Sequence, residues 1–247
     1  MADRADLLAV TLLATSPLLA STLRPRAIDV AATALPRIGR IVRRAVLLLV
    51  VFLIVGNALI VAAWKWESRG ARASAVSVDV TNFRVVDEQL WRGAAPSRST
   101  YRDLAANGVT TVVDLRAEVG IHIDTELLDD LGLQLVRIPM RDGQAPTDAQ
   151  VREFLDAVRR SEGPVYVHCG AGVGRTGTMV AAYLVATGGA SGLDAMRGNL
   201  TVGPPSLEQL AFAASLDGGT TEAPPLPLVV VSRVLDAPRR VWTRLVD

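Results

Sequence analysis

Pro164-Val165-Tyr166-Val167-His168-Cys169-Gly170-Ala171-Gly172-Val173-Gly174-Arg175-Thr176-Gly177 runs from an apolar stretch through a glycine-rich turn into a helical pattern reaching Thr187. A strand that breaks into such a turn and then opens a helix points several backbone N–H groups at one place. The helix dipole adds partial positive charge there, so the turn reads as an anion cradle. Gly170, Gly172 and Gly174 permit the tight path and the close approach of backbone to a ligand. Cys169, the only cysteine in the chain, lies in that field, which favours a thiolate nucleophile. Arg175 can return across the turn and offer a phosphate a planar, two-pronged donor. The blander alternative is a small core cysteine beside a turn. It leaves the glycines, Arg175 and Thr176 as coincidences.

The decapeptide His168–Gly177 resembles the signature loop, His-Cys-x5-Arg-Thr-Gly, of the cysteine-dependent protein tyrosine and dual-specificity phosphatases. A bare Cys-x5-Arg is a weak signal; the whole decapeptide between a strand and a helix is a specific one. Leu90-Trp91-Arg92-Gly93-Ala94-Ala95-Pro96-Ser97 is similar to an early segment of the dual-specificity-like enzymes. Val109-Thr110-Thr111-Val112-Val113-Asp114-Leu115-Arg116 is similar to the strand and turn that follow. Ile138-Pro139-Met140-Arg141-Asp142-Gly143-Gln144-Ala145-Pro146 is similar to the loop that carries the general acid. The resemblance covers the segment from Thr81 to Leu216 and leaves both ends of the chain outside it.

What the resemblance implies can be written residue by residue. Cys169 would attack phosphorus and form a phosphocysteine, dividing one difficult displacement into two. The backbone of Gly170, Ala171, Gly172, Val173, Gly174 and Arg175, with the Arg175 guanidinium, would bind the phosphate and its transition state. Asp142 would protonate the leaving oxygen; its alternative is a plain turn residue in Arg-Asp-Gly. Thr176 would hydrogen-bond the departing thiolate, and His168 would order the loop. Asp114 and Arg116 either orient neighbouring loops or form a structural ion pair. Gln209 matches a glutamine that places water, although helix capping competes for it. Substrates would be phosphorylated proteins, at tyrosine or at serine and threonine, or a small phosphorylated molecule. Ala171 and Val173 stand where phosphoinositide-directed relatives often carry lysine, which lowers that option. The competing functions are a phosphate-binding pseudophosphatase that docks phosphorylated partners, a phosphoinositide or inositol phosphate phosphatase, and a sulfur-transfer domain.

Composition bounds the rest. At 247 residues, one domain with appendages is expected. Lys and Arg number 26 against 25 Asp and Glu, so no general affinity for nucleic acid is implied. Residues 77–216 carry twelve Arg against seventeen acids, so attraction for phosphate must be local to the loop. His122 and His168 are the only histidines, and no dinucleotide fingerprint occurs, so neither metal nor cofactor is expected. A single cysteine excludes a disulfide within the chain.

Ala45 to Trp64 contains no charged residue and is about long enough to cross a bilayer as a helix, with Trp64, Lys65 and Trp66 at one interface. A single-pass anchor is therefore expected. Arg37, Arg40, Arg43 and Arg44 favour a cytoplasmic N-terminus and a catalytic domain on the far side, whereas the supply of phosphorylated substrates favours the cytoplasm. Leu7–Leu23 is a shorter charge-free run, a marginal second span or an interfacial helix. The small-residue run Ala73-Ser74-Ala75 lies too far downstream for a signal cleavage site.

The expected organisation is an Arg-rich segment over 1–44, a transmembrane helix over 45–64, a linker over 65–77, a phosphatase domain over 78–216, and a linker with tail over 217–247. The fold expected for the domain is α/β, a central and mostly parallel sheet flanked by helices. Alternation over Val78–Val86 predicts an edge strand, and Val109–Asp114, Leu133–Ile138 and Val165–His168 predict buried strands. Helices are expected over Ser99–Ala106, Glu126–Leu131, Thr147–Arg160, Thr176–Thr187, Ser191–Leu200 and Ser206–Leu216. Thr147 with Gln150 and Ser206 with Gln209 read as capping boxes. In the tail, Trp242 among arginines suggests a membrane-surface helix or a segment packed on the domain, and Pro238 argues against one long helix.

Overall fold

The computed structural model describes residues 26–67, 76–200, 202–217 and 223–246. Helix α1 spans Arg26–Glu67 and contains the apolar stretch. Its part Arg40–Leu59 is long and apolar enough to cross a membrane, and none of its residues is buried. Leu7–Leu23 and Ala73–Ala75 lie outside the described residues.

The remaining elements follow in the order β1 (Arg84–Val85), β2 (Leu90–Gly93), α2 (Arg98–Ala106), β3 (Thr111–Arg116), α3 (Thr125–Asp130), β4 (Gln134–Met140), α4 (Asp148–Arg160) and β5 (Val165–His168). Four helices complete the chain: α5 (Gly174–Ala186), α6 (Gly192–Leu200), α7 (Leu207–Leu216) and α8 (Leu226–Val246). The sheet order is β1-β2-β5-β3-β4. Only the β1–β2 pairing is antiparallel; β2–β5, β5–β3 and β3–β4 are parallel.

Period-two alternation sends the strand side chains to two cores. Val165 and Val167 of β5, with Val113, Leu115 and Leu90, face α4, α5 and α7, where Phe154, Met179 and Phe212 are fully buried. Tyr166, Val112 and Trp91 face the other way, against Tyr101, Leu104, Leu127 and Leu128 of α2 and α3. Truncating a buried phenylalanine such as Phe154 to alanine costs about 3–5 kcal/mol. Both predicted capping boxes are present, Thr147 with Gln150 and Ser206 with Gln209.

Two expectations are corrected. The edge strand over Val78–Val86 shrinks to Arg84–Val85, because Asn82 adopts a left-handed backbone at φ 60 and turns bond Val80 to Val78 and Phe83 to Val80. The tail is one helix after all, since α8 continues through Pro238. An interior proline removes one backbone hydrogen bond and crowds the preceding turn, and the rest of this helix outweighs that local loss. Pro227 sits in the first turn, where its missing N–H costs nothing.

Candidate active site

The carboxyl ends of β2, β5, β3 and β4 lie along one edge of the sheet, where doubly wound folds bind ligands. The Cys169–Val173 turn leaves β5 at that edge and enters α5. Cys169 is buried at 3% exposure, while Gly170 and Ala171 are exposed. No side chain caps the start of α5 at Val173, so its first N–H groups remain for a ligand.

The loop's carbonyls explain why its N–H groups can face inward. His168 Nδ1 lies 3.1 Å from the Cys169 carbonyl. The Gly170 carbonyl accepts from the Ala95 N–H at 2.9 Å, and the Ala171 carbonyl from Asn82 Nδ2 at 2.8 Å. Arg92 Nη2 donates to the Gly172 carbonyl at 2.5 Å and reaches the Val173 carbonyl at 3.5 Å. Five successive carbonyls thus have partners from outside the turn. Gly172 has φ +71, and a Cβ there would lie 2.3 Å from the carbonyl of Gly93. That position accepts only glycine.

Arg92 is 2% exposed and also donates to Asn199 Oδ1, while Asn199 Nδ2 donates to the Gly177 carbonyl at 2.5 Å. This pair ties β2 to the loop and to the first turn of α5. Burial pulls Arg92 down to about 10, while Cys169 nearby acts in the opposite direction. The guanidinium therefore stays charged at neutral pH, a second cation behind the loop.

Arg175 folds back across the turn as expected. Its Nη1 donates to Glu118 Oε2 at 2.9 Å and to the Met140 carbonyl at 3.1 Å; its Nη2 pairs with Glu118 Oε1 at 2.8 Å. Its Nε lies 3.4 Å from Asp142 Oδ1. Burial would lower the Arg175 pKa, but Glu118, Cys169 and Asp142 outweigh it and raise it. Arg175 likewise holds the Glu118 carboxyl low, against the upward push of burial.

The fold therefore brings Cys169, Arg175 and Asp142 together from the ends of β5, α5 and β4. Thr176 Oγ1 is buried and has no hydrogen-bond partner among the described residues. Gln209 completes its capping box, donates to the Gln144 carbonyl at 3.4 Å and packs against Gly174. Asp114 and Arg116 form a close pair, both Nε and Nη2 of Arg116 donating at 2.9 Å. Burial pushes the Asp114 carboxyl up, but the Arg116 hydrogen bond and His168 leave it lowered. His168 is fully buried, and desolvation pulls it down to about 4, against the upward pull of Asp114 at 3.9 Å.

Glu118, Asn82 and Asn199 escaped the sequence reading, and Arg92 was quoted there without a role. An acid two residues beyond β3 could have been flagged, because strand carboxyl ends are where ligands bind. Asn82 is of the residue type that tolerates a left-handed turn. No local signal marks Asn199, whose partner Arg92 is 107 positions away.

A family model described as PTP-NADK, a DSP-PTPase phosphatase fused to NAD+ kinase, matches residues 60–215. Human dual specificity protein phosphatase CDC14C is 39% identical over 90 residues, 36% of this chain and 20% of that protein. Arabidopsis thaliana chloroplastic NAD kinase 2 is 37% identical over 100 residues, 38% of this chain and 10% of that one. The chain spans a fifth or less of these relatives' length. The crystal structure of PTPMT1 in complex with PI(5)P superposes with TM-score 0.50 at 22% identity, covering 56% of this chain and 95% of that one. That likeness is one of fold. By the family model and its signature loop, the chain belongs to the cysteine-dependent, dual-specificity-like (DSP-PTPase) phosphatases.

Proposed function

We propose that this chain is a membrane-anchored phosphatase, with residues 45–64 as the anchor and 78–216 as the catalytic domain, acting on phosphorylated proteins. The observation that carries the reading is the meeting of Cys169, Arg175 and Asp142 around a turn whose carbonyls are tied outward. Cys169 Sγ attacks phosphorus as the P–O bond to the leaving group breaks, and Asp142 gives that oxygen its proton. The N–H groups of residues 170–175 and the Arg175 fork hold the three equatorial oxygens, whose charge they meet prepositioned. Water then attacks the phosphocysteine, Asp142 takes its proton, the P–S bond breaks and phosphate leaves. Thr176 donates to the departing thiolate.

A second reading, a lipid phosphate substrate, draws on two observations. PTPMT1, which shares the fold, was crystallised with PI(5)P, and an apolar helix precedes the domain.

The test is turnover by the full chain in detergent micelles, on a phosphotyrosine peptide, a phosphothreonine peptide and PI(5)P. Rapid acid quench with labelled peptide should trap phosphocysteine. Cys169→Ser should abolish both turnover and trapping, since a serine hydroxyl does not ionise comparably. Activity near wild type in that variant would sink the covalent mechanism, and turnover of PI(5)P alone would move the substrate to lipid.

A further inference from the structure

The matched family segment ends at residue 215, yet α8 packs on α7 beside the loop that carries Asp142. Three successive residues of that loop are held from α7 and its N-cap Ser206. The Gly143 carbonyl accepts from Ser206 Oγ at 2.7 Å, the Gln144 carbonyl from Gln209 Nε2 at 3.4 Å, and the Ala145 N–H donates to Glu208 Oε1 at 3.2 Å. Glu208 is 5% exposed, and a buried carboxylate needs partners on its other side. Helix α8 supplies one, since Arg233 Nε lies 3.5 Å from Glu208 Oε2. It also holds the Glu208 backbone, whose N–H donates to Ser232 Oγ at 3.1 Å. One turn on, Ser232 Oγ donates to Asp236 Oδ2 at 3.5 Å. Asp236 overhangs the loop itself, since a Cβ on Gly143 would lie 3.3 Å from its Oδ2.

We infer that α8 is a brace for the acid loop, with Glu208 as the positioning residue through which Ser232 and Arg233 hold Asp142 in register with Arg175. The inference rests on the reading of Asp142 as general acid. A carboxyl at one fixed distance from Arg175 needs a loop fixed at more than one point. The physical basis is that a charge-assisted hydrogen bond to a backbone N–H is directional, and its loss leaves a buried group unpaired. Misplacing a reacting group by about 1 Å can cost about 10²-fold in rate. The brace would thus act on kcat for substrates that need protonation and not on phosphate binding.

The experiment uses the full chain in micelles with Glu208→Ala, Glu208→Gln, the double variant Ser232→Ala/Arg233→Ala, and Asp142→Asn. Each is assayed on phenyl phosphate, a poor leaving group, and on a dinitrophenyl phosphate, whose phenoxide leaves without a proton. Glu208→Ala and the α8 double variant should lose about tenfold or more in kcat on phenyl phosphate, and less than about twofold on the activated ester. KM should hold on both. Glu208→Gln, which keeps the acceptor for the Ala145 N–H, should restore most of the loss. Combining Glu208→Ala with Asp142→Asn should add no further loss, because both act on one proton transfer. An equal loss on both esters, or none from the α8 double variant, overturns the brace. If Asp142→Asn alone shows no leaving-group dependence, the acid assignment has failed and the brace falls with it. If Asp142→Asn shows it and Glu208→Ala does not, only the brace is wrong. The activated ester reports the intact Cys169 loop in every variant, which separates misfolding from loss of positioning.

Discussion

His168 offers a measurement that burial dominates. In the unfolded chain a histidine titrates near 6.5; in the fold, desolvation pulls His168 down to about 4. The charged groups around it do not cancel this: Asp114 pulls upward, while Arg116 and Arg175 push further down. The sign follows from proton counting. Between pH 6.5 and about 4 the unfolded state holds a proton that the folded state refuses, so stability falls with falling pH across that window. Above 6.5 the contribution is complete and constant. The gap between 6.5 and about 4, at about 1.36 kcal/mol per pH unit, amounts to about 3 kcal/mol. Asp114 loses its own contribution at lower pH, because its carboxyl is held below 3.8, so the two effects separate. The assay is urea unfolding of the full chain in micelles at half-unit pH steps, for wild type and His168→Gln. Wild type should lose about 3 kcal/mol more than the variant between pH 7 and 4, most steeply near pH 5. Parallel curves would show that His168 titrates in the fold as it does in the unfolded chain, and would refute the burial argument.

Three further outcomes follow from the site. Asp142→Asn should lose about 10²–10⁴-fold on phenyl phosphate and little on a dinitrophenyl ester; steady-state rates decide, and an equal small loss on both returns Asp142 to a turn residue. Gly172→Ala should destabilise the domain by about 3 kcal/mol, summing a left-handed backbone penalty and a clash with the Gly93 carbonyl. A urea midpoint shift worth less than about 1 kcal/mol would contradict that geometry. Arg92→Met leaves two loop carbonyls and Asn199 without their charged donor, so about 2–4 kcal/mol should be lost in unfolding, together with weaker inhibition by vanadate. Unchanged vanadate affinity would mean that the loop keeps its shape without Arg92.

The legible parts of this molecule are those whose causes are local. The strand Val165–His168, the turn after Cys169 and the helix beyond it are written in consecutive residues, as are the capping boxes at Thr147 and Ser206. Asp142 could be singled out because it lies on the loop just beyond β4, in the segment that resembles the family's acid loop. Val78–Val86 alternates like a strand, yet Asn82 turns left-handed and spends its amide on the Ala171 carbonyl. That preference for a tertiary bond has no trace in the local pattern. Arg92, Asn199 and Glu208 were out of reach for the same reason, since each acts on a residue far along the chain. Pro238 misled because the proline rule weighs one turn, and a helix is settled by all of its turns together.

The outward-tied carbonyls of residues 169–173 bear on what the signature decapeptide is by itself. Its curvature is stored elsewhere, in Asn82, Arg92 and the Ala95 N–H, all more than 70 positions upstream. The motif is thus not a portable cassette. Grafted behind another strand it would keep the nucleophile and the guanidinium, but its peptide planes would be free to flip and present oxygen to an anion. A search for function that stops at Cys-x5-Arg reads the wording and misses the grammar, which a transplant must carry over from the N-terminal side of the sheet.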